Sequence, residues 1–147
     1  MIPANLTEGM ETVLTLYYNQ LKHGVDVIRH YHELPPVTCY PDELNQVWTN
    51  LIHNALQAMD NKGTLTIEIQ QQDNQAKISI TDSGKGIPPE IQAKIFQPFF
   101  TTKPAGEGSG LGLDIVKKII DKHQGQINVA SIPGQTTFTI LLPMNHP

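Results

Sequence analysis

The segment Gly106-Glu107-Gly108-Ser109-Gly110-Leu111-Gly112-Leu113 sets a glycine at every second position and runs without a break into an apolar-periodic stretch, Leu111 to His123. Glycines let backbone N–H groups approach an anion closely, and a helix starting there adds unpaired donors and the positive end of its dipole. A flexible linker is also glycine-rich, but it is not followed at once by an amphipathic helix. The stretch predicts a phosphate-type cradle at a helix N-terminus, closed at its far end by Gly125.

Working upstream, Asp82-Ser83-Gly84-Lys85-Gly86-Ile87-Pro88 follows a strand pattern ending at Ile80. It puts an acid at a strand end and glycines where the backbone must turn. An Asp in that place can accept a hydrogen bond from an amino-bearing base, and equally a D-S-G turn connects elements in any globular protein. Between the two glycine segments lie a short helix, Glu90 to Phe96, and Phe99-Phe100-Thr101-Thr102-Lys103, aromatics beside a lysine that could reach a phosphate or could simply be core.

Further upstream, Pro41-Asp42 opens a helix whose apolar face is Val47, Leu51, Ile52, Ala55, Ala58 and Met59, ending at Asn61-Lys62-Gly63. Opposite that face Gln46, Asn50, Asn54 and Gln57 form a carboxamide stripe, which reads as a ligand-facing surface or as an ordinary solvated face. Residues 6–22 predict a helix capped by Asn5 or Thr7 and ended by Gly24. Val25 to Tyr31 predicts a strand, stopped by Pro35-Pro36.

Leu65 to Ile69 and Ile78 to Ile80 predict antiparallel strands joined by a polar loop, Gln70 to Gln75. Ile127 to Val129 and Phe138 to Leu142 predict two more around Pro133-Gly134. Helices and strands in this mixed order predict an α+β fold, a two-layer α/β sandwich with a mixed, mostly antiparallel sheet packed on helices.

The chain has 147 residues, 39% of them hydrophobic, enough for one core, so a single domain over 1–147 is expected. A net charge of -4 without a Lys/Arg cluster speaks against nucleic acid as a partner. Cys39 is the only cysteine, which excludes an internal disulfide and fits a reducing, cytoplasmic compartment. No stretch approaches the roughly 20 apolar residues that cross a bilayer, so no direct membrane insertion is expected.

Taken in this order, the four segments resemble the N, G1, F and G2 boxes of the histidine kinase catalytic domain, within the gyrase, Hsp90, histidine kinase and MutL ATPase superfamily with its Bergerat ATP-binding fold. The likeness covers about residues 42–143 and is nearest the nitrogen-regulation-like subclass. It implies ATP and Mg²⁺ as cofactors.

Asn50-Leu51-Ile52-His53-Asn54-Ala55 resembles the N box, putting the Mg²⁺ ligand on Asn54 and a further site residue on Asn50, with Gln57 and Ala58 beside them. The resemblance assigns adenine recognition to Asp82 with Gly84, Gly86 and Ile87. It puts the start of the ATP lid at Phe99, Thr101, Thr102 and Lys103, and the phosphates at Gly108, Ser109, Gly110, Leu111 and Gly112. Asn50, Asn54 and Lys103 would be the catalytic residues.

ATP-hydrolysing members and related serine kinases carry a glutamate base where Asn50 stands. A carboxamide cannot take a proton, whereas a neutral imidazole nucleophile needs no base. The resemblance therefore implies phosphotransfer to histidine, with a helical dimerisation and histidine phosphotransfer domain as partner and a response regulator served indirectly.

Two departures stand out. Gln57 occupies a position where many members have Lys or Arg, and the phosphoacceptor hairpin is not among these residues, so it is expected as a separate domain. A nucleotide-sensing module and a serine kinase on the same fold are the rival readings. The six histidines (His23, His30, His32, His53, His123 and His146) are read as structural or surface residues.

Overall fold

The computed structural model describes residues 1–97 and 112–144. In chain order the elements are β1 (Ile2–Ala4), α1 (Leu6–Leu16), α2 (Tyr18–Leu21), β2 (Val25–Tyr31), β3 (Val37–Cys39), α3 (Pro41–Ala58), β4 (Gly63–Gln72), β5 (Gln75–Asp82), α4 (Pro89–Gln92), α5 (Gly112–Lys122), β6 (Gln126–Ile132) and β7 (Gln135–Pro143). Five strands form one sheet in the order β2-β4-β5-β7-β6, and β1 pairs with β3 in a small second sheet. β2 runs parallel to β4 and every other pair is antiparallel, the mixed, mostly antiparallel sheet expected.

Alternation fixes which face of the sheet is inside. Leu65, Ile67, Ile69, Ala76, Ile78, Ile80, Ile140 and Leu142 are buried, while Thr66, Glu68, Lys77, Ser79 and Thr139 between them are not. Against that face lie α3, through Leu44, Val47, Trp48, Leu51, Ile52, Ala55 and Leu56, and α5, through Val116, Ile119 and Ile120. Each fully buried Ile or Leu contributes about 1.5–3 kcal/mol over its exposed state, so this interface is the main source of stability.

α3 begins with Pro41 in its first turn, followed by Asp42 and Glu43, which favour the positive end of the dipole. It ends where Asp60 and Asn61 both take left-handed backbone, and Asn61 N–H reaches back to Leu56 O at 2.9 Å. Ala58 is only partly buried, so it belongs to the edge of the apolar face expected for it.

Three expectations need correction. The helix over 6–22 is broken at Tyr17, whose backbone (φ -99, ψ 12) leaves helical geometry where its side chain meets His53 of α3. Asn5 is the cap, accepting from Glu8 N–H at 3.2 Å. The loop Gln70 to Gln75 is in fact ladder: Gln70, Gln71 and Gln72 pair with Lys77, Ala76 and Gln75, leaving Asp73-Asn74 as the turn, with Asp73 at φ 56. Exposed glutamines hide a strand from a hydrophobic pattern but still offer its backbone bonds. The helix expected over Glu90 to Phe96 is helical only over Pro89–Gln92 and continues as turns.

Candidate functional site

The carboxamide stripe of α3 faces the start of α5. Asn50 Nδ2 donates to Gly112 O at 3.1 Å, tying the stripe to the last glycine of the alternating run. Asn50 and Asn54 are half-buried, while Gln57 one turn on is exposed. A Cβ built on Gly112 meets no described atom within 4 Å.

The other wall is the corner after β5. Asp82 is 4% exposed at the strand end, and its Oδ1 accepts from Gly84 N–H at 2.8 Å, which leaves Oδ2 for a donor from outside. Burial pushes the Asp82 carboxyl above the usual carboxylate range, and the Gly84 N–H opposes that rise by stabilising the charged form.

Gly84 packs directly on the end of α3: a Cβ there would lie 2.5 Å from Ala58 O and 2.6 Å from its carbonyl carbon. Lys85 N–H donates to the same Ala58 O at 3.2 Å. Ala58 thus sets the distance between stripe and corner through its backbone. Gly84→Ala is expected to cost about 1–3 kcal/mol of stability, because backbone rather than a flexible side chain must give way. Urea titration of the variant checks this.

Beyond Gly84, Gly86 takes φ +85 and passes so close to Ile132 O (2.6 Å from a built Cβ) that only glycine fits. Ile87 N–H donates to Ser131 Oγ at 2.7 Å, Ser131 Oγ meets Thr136 Oγ1 at 2.6 Å, and Gln92 Nε2 donates to Ile87 O at 2.8 Å. Thr136 is 3% exposed and pairs with Asp82 in the ladder. Ser131, Thr136 and Gln92 were missed by the sequence reading. The alternation of Phe138, Ile140 and Leu142 runs back to a polar Thr136, and a hydroxyl at a core position was the signal available.

The structure therefore ties Asn50 to Gly112 at one point of α3 and Ala58 to Gly84 and Lys85, beside the buried Asp82, at its end, with Asn54 and Gln57 on the stripe between; Gly86 and Ile87 follow in the same corner. Phe99, Thr101, Thr102, Lys103, Gly108, Ser109, Gly110 and Leu111 lie outside the described residues. Among the described residues no group of three or more His, Cys, Asp or Glu side chains could hold a metal ion. The side-chain carbonyl of Asn54 is a hard oxygen of the kind that Mg²⁺ takes.

The described histidines include one buried member. His123 is 1% exposed, accepts from Tyr40 N–H at 3.0 Å through Nε2, and has Nδ1 2.8 Å from Ile119 O. It is a structural residue, at the far end of α5 from Gly112.

The histidine kinase-, DNA gyrase B-, and HSP90-like ATPase family matches residues 39–146. The signal transduction histidine-protein kinase AtoS of Escherichia coli (strain K12) is 44% identical over 138 residues, covering 92% of this chain and 22% of that protein. The sensory histidine kinase/phosphatase NtrB of Escherichia coli O157:H7 is 36% identical over 146 residues, covering 91% of this chain and 41% of that protein. The chain thus spans about a fifth to two fifths of the length of these curated relatives.

Among solved structures, the nucleotide-free catalytic domain of histidine kinase ThkA superposes with a TM-score of 0.89 at 32% identity, over 97% of this chain and 95% of that one. ThkA in complex with the response regulator protein TrrA gives 0.85 at 30% identity, over 98% of this chain and 42% of that one. With sequence and fold in agreement over the same span, the chain belongs to the histidine kinase-, DNA gyrase B-, and HSP90-like ATPase family, among the ATP-binding catalytic domains of sensor histidine kinases.

Proposed function

We propose that residues 1–147 act as one catalytic domain that binds Mg²⁺-ATP between the α3 stripe, the Asp82 corner and the α5 N-terminus, and transfers the γ-phosphoryl group to a histidine on a separate helical dimerisation domain. A response regulator would be served indirectly, in the cytoplasm. The observation that carries the reading is the Asn50 to Gly112 bond, which ties the stripe to the start of α5, while Gly84, next to the buried Asp82, packs on the end of the same α3.

In this reading the Asp82 carboxylate accepts from the adenine amino group, and the α5 N-terminus receives the phosphates with its unpaired N–H groups. Asn54 would hold Mg²⁺, which when bound neutralises phosphate charge. Phe99, Thr101, Thr102 and Lys103, with Gly108, Ser109, Gly110 and Leu111, would supply further nucleotide contacts. The imidazole nitrogen attacks the γ-phosphorus, the bond to the β-γ bridging oxygen breaks, ADP leaves, and the ring proton passes to solvent. Asn50 cannot act as a base, so water is not activated and hydrolysis stays slow.

No helix among the described residues is long and apolar enough to cross a membrane. The reading is tested by calorimetric titration of ATP with and without Mg²⁺. Asn54→Ala is expected to remove the Mg²⁺-dependent gain, about tenfold or more in affinity, while binding without Mg²⁺ is unchanged. Acid-labile phosphate on an added dimerisation domain from a related kinase is the expected product. Rapid hydrolysis by this chain alone, or phosphoserine on a protein substrate, would overturn the reading.

A further inference from the structure

Gln57 is a neutral side chain on the stripe, with one carboxamide to offer a polyanion and a long stem that must be ordered to offer it. Ordering a Gln side chain costs rotamer freedom, which weakens any contact it makes unless something else fixes it first. The preceding turn of α3 supplies such a group. His53 Nε2 lies 2.9 Å from Gln57 Nε2, four residues away on the helix, and His53 Nδ1 lies 3.5 Å from Tyr17 Oη, with the two rings 6.2 Å apart.

An amide nitrogen only donates, so His53 Nε2 accepts and its proton sits on Nδ1, facing the Tyr17 oxygen. Tyr17 stands at the break between α1 and α2, so the imidazole is braced from a second element. The bond takes one of the two N–H groups of Gln57 and leaves the other free to donate elsewhere.

We propose that His53 is a positioning residue for the nucleotide: it holds the Gln57 carboxamide in place so that its second N–H is presented to the phosphate groups. The chain Tyr17, His53, Gln57 thereby does by preorganisation part of what a cation would do by charge. His53 touches no reacting atom in this scheme and acts through Gln57. The inference rests on the proposed function, since it needs phosphates beside the stripe.

The test compares ATP with AMP, which shares the adenine contacts and lacks the terminal phosphates, by calorimetry on the wild-type chain and on His53→Ala, Gln57→Ala and His53→Gln. His53 and Gln57 are exposed, and unchanged melting temperatures confirm that the variants fold. The ATP-to-AMP affinity ratio is expected to fall about three- to tenfold in His53→Ala and in Gln57→Ala. It is expected to recover in His53→Gln, whose carboxamide can accept the same bond. A ratio in His53→Ala equal to wild type, with wild-type ATP binding intact, overturns this inference alone. A wild-type chain that binds no ATP overturns the site reading and this inference with it.

Discussion

Asp82→Ala is expected to lower ATP affinity by about 100-fold, the largest functional effect of any single change in this chain. The carboxylate is 4% exposed, and one oxygen is already held by Gly84 N–H, so in the proposed site the other would meet the adenine donor with little competing water. A hydrogen bond to a charged group in such a place is worth about 1.5–3 kcal/mol, and the alanine variant also leaves the Gly84 N–H and the ligand donor without their acceptor. Asp82→Asn is the sharper variant, because its shape is preserved and an amide donor set against an adenine amino group repels it. Binding equal to wild type in both variants would remove Asp82 from the site.

Stability should move the other way. The folded-state pKa of Asp82 is raised by burial, so the folded protein binds this proton more tightly than the unfolded chain. Stability from this group is therefore present at acid pH and is lost as pH rises from the unfolded carboxylate range through the raised folded one. At neutral pH the charged form is the disfavoured one in the fold. Asp82→Asn should melt higher than wild type there, and the difference should shrink on acidification. Thermal melts in a pH series read this directly.

His123→Ala is expected to damage the fold itself, at about 3 kcal/mol. The side chain is 1% exposed and bonds to Ile119 O and Tyr40 N–H, so removing it opens a cavity and strips the start of α3 of an acceptor. Tyr40 also stacks edge-on against the imidazole, ring centroids 5.4 Å apart, and Lys122 sits 4.4 Å over Tyr40 while bonding Glu43 at 2.9 Å. The end of α5 is thus fastened to the beginning of α3. For a chain of this size the loss corresponds to about 6–12 °C in Tm. His123→Phe keeps the volume and deletes the bonds, so a fall in that variant isolates the polar part; no fall in either would refute the assignment.

The elements that could be read from sequence are those whose causes are local. α3 announces itself by Pro41, by Asp42 and Glu43 in its first turn, and by an apolar period sustained to Ala55. Asp82 was legible as an acid at a strand end next to glycines, and Asn50 and Asn54 as a stripe at helical spacing. What stayed hidden depends on partners far along the chain. Ser131 bonds Ile87 across 44 residues, and β1 and β3 are three-residue strands that exist because each completes the other. The break at Tyr17 was hidden for the same reason, since its contact is a histidine on another helix.

The direct pairing of β5 with β7 has one more consequence. Asp82 opposite Thr136 and Gln75 opposite Pro143 fix the register of two neighbouring strands, while the chain between them passes through α4, α5 and β6, the last of which returns to the sheet as its edge strand beside β7. Partners so far apart along the chain can meet only after the segment between them has been drawn together, so this pairing forms slowly compared with the β4-β5 hairpin, which closes over Asp73-Asn74. The architecture thus separates a hairpin that can close on its own from a central seam that depends on residues far along the chain, and the second governs how fast the sheet is completed.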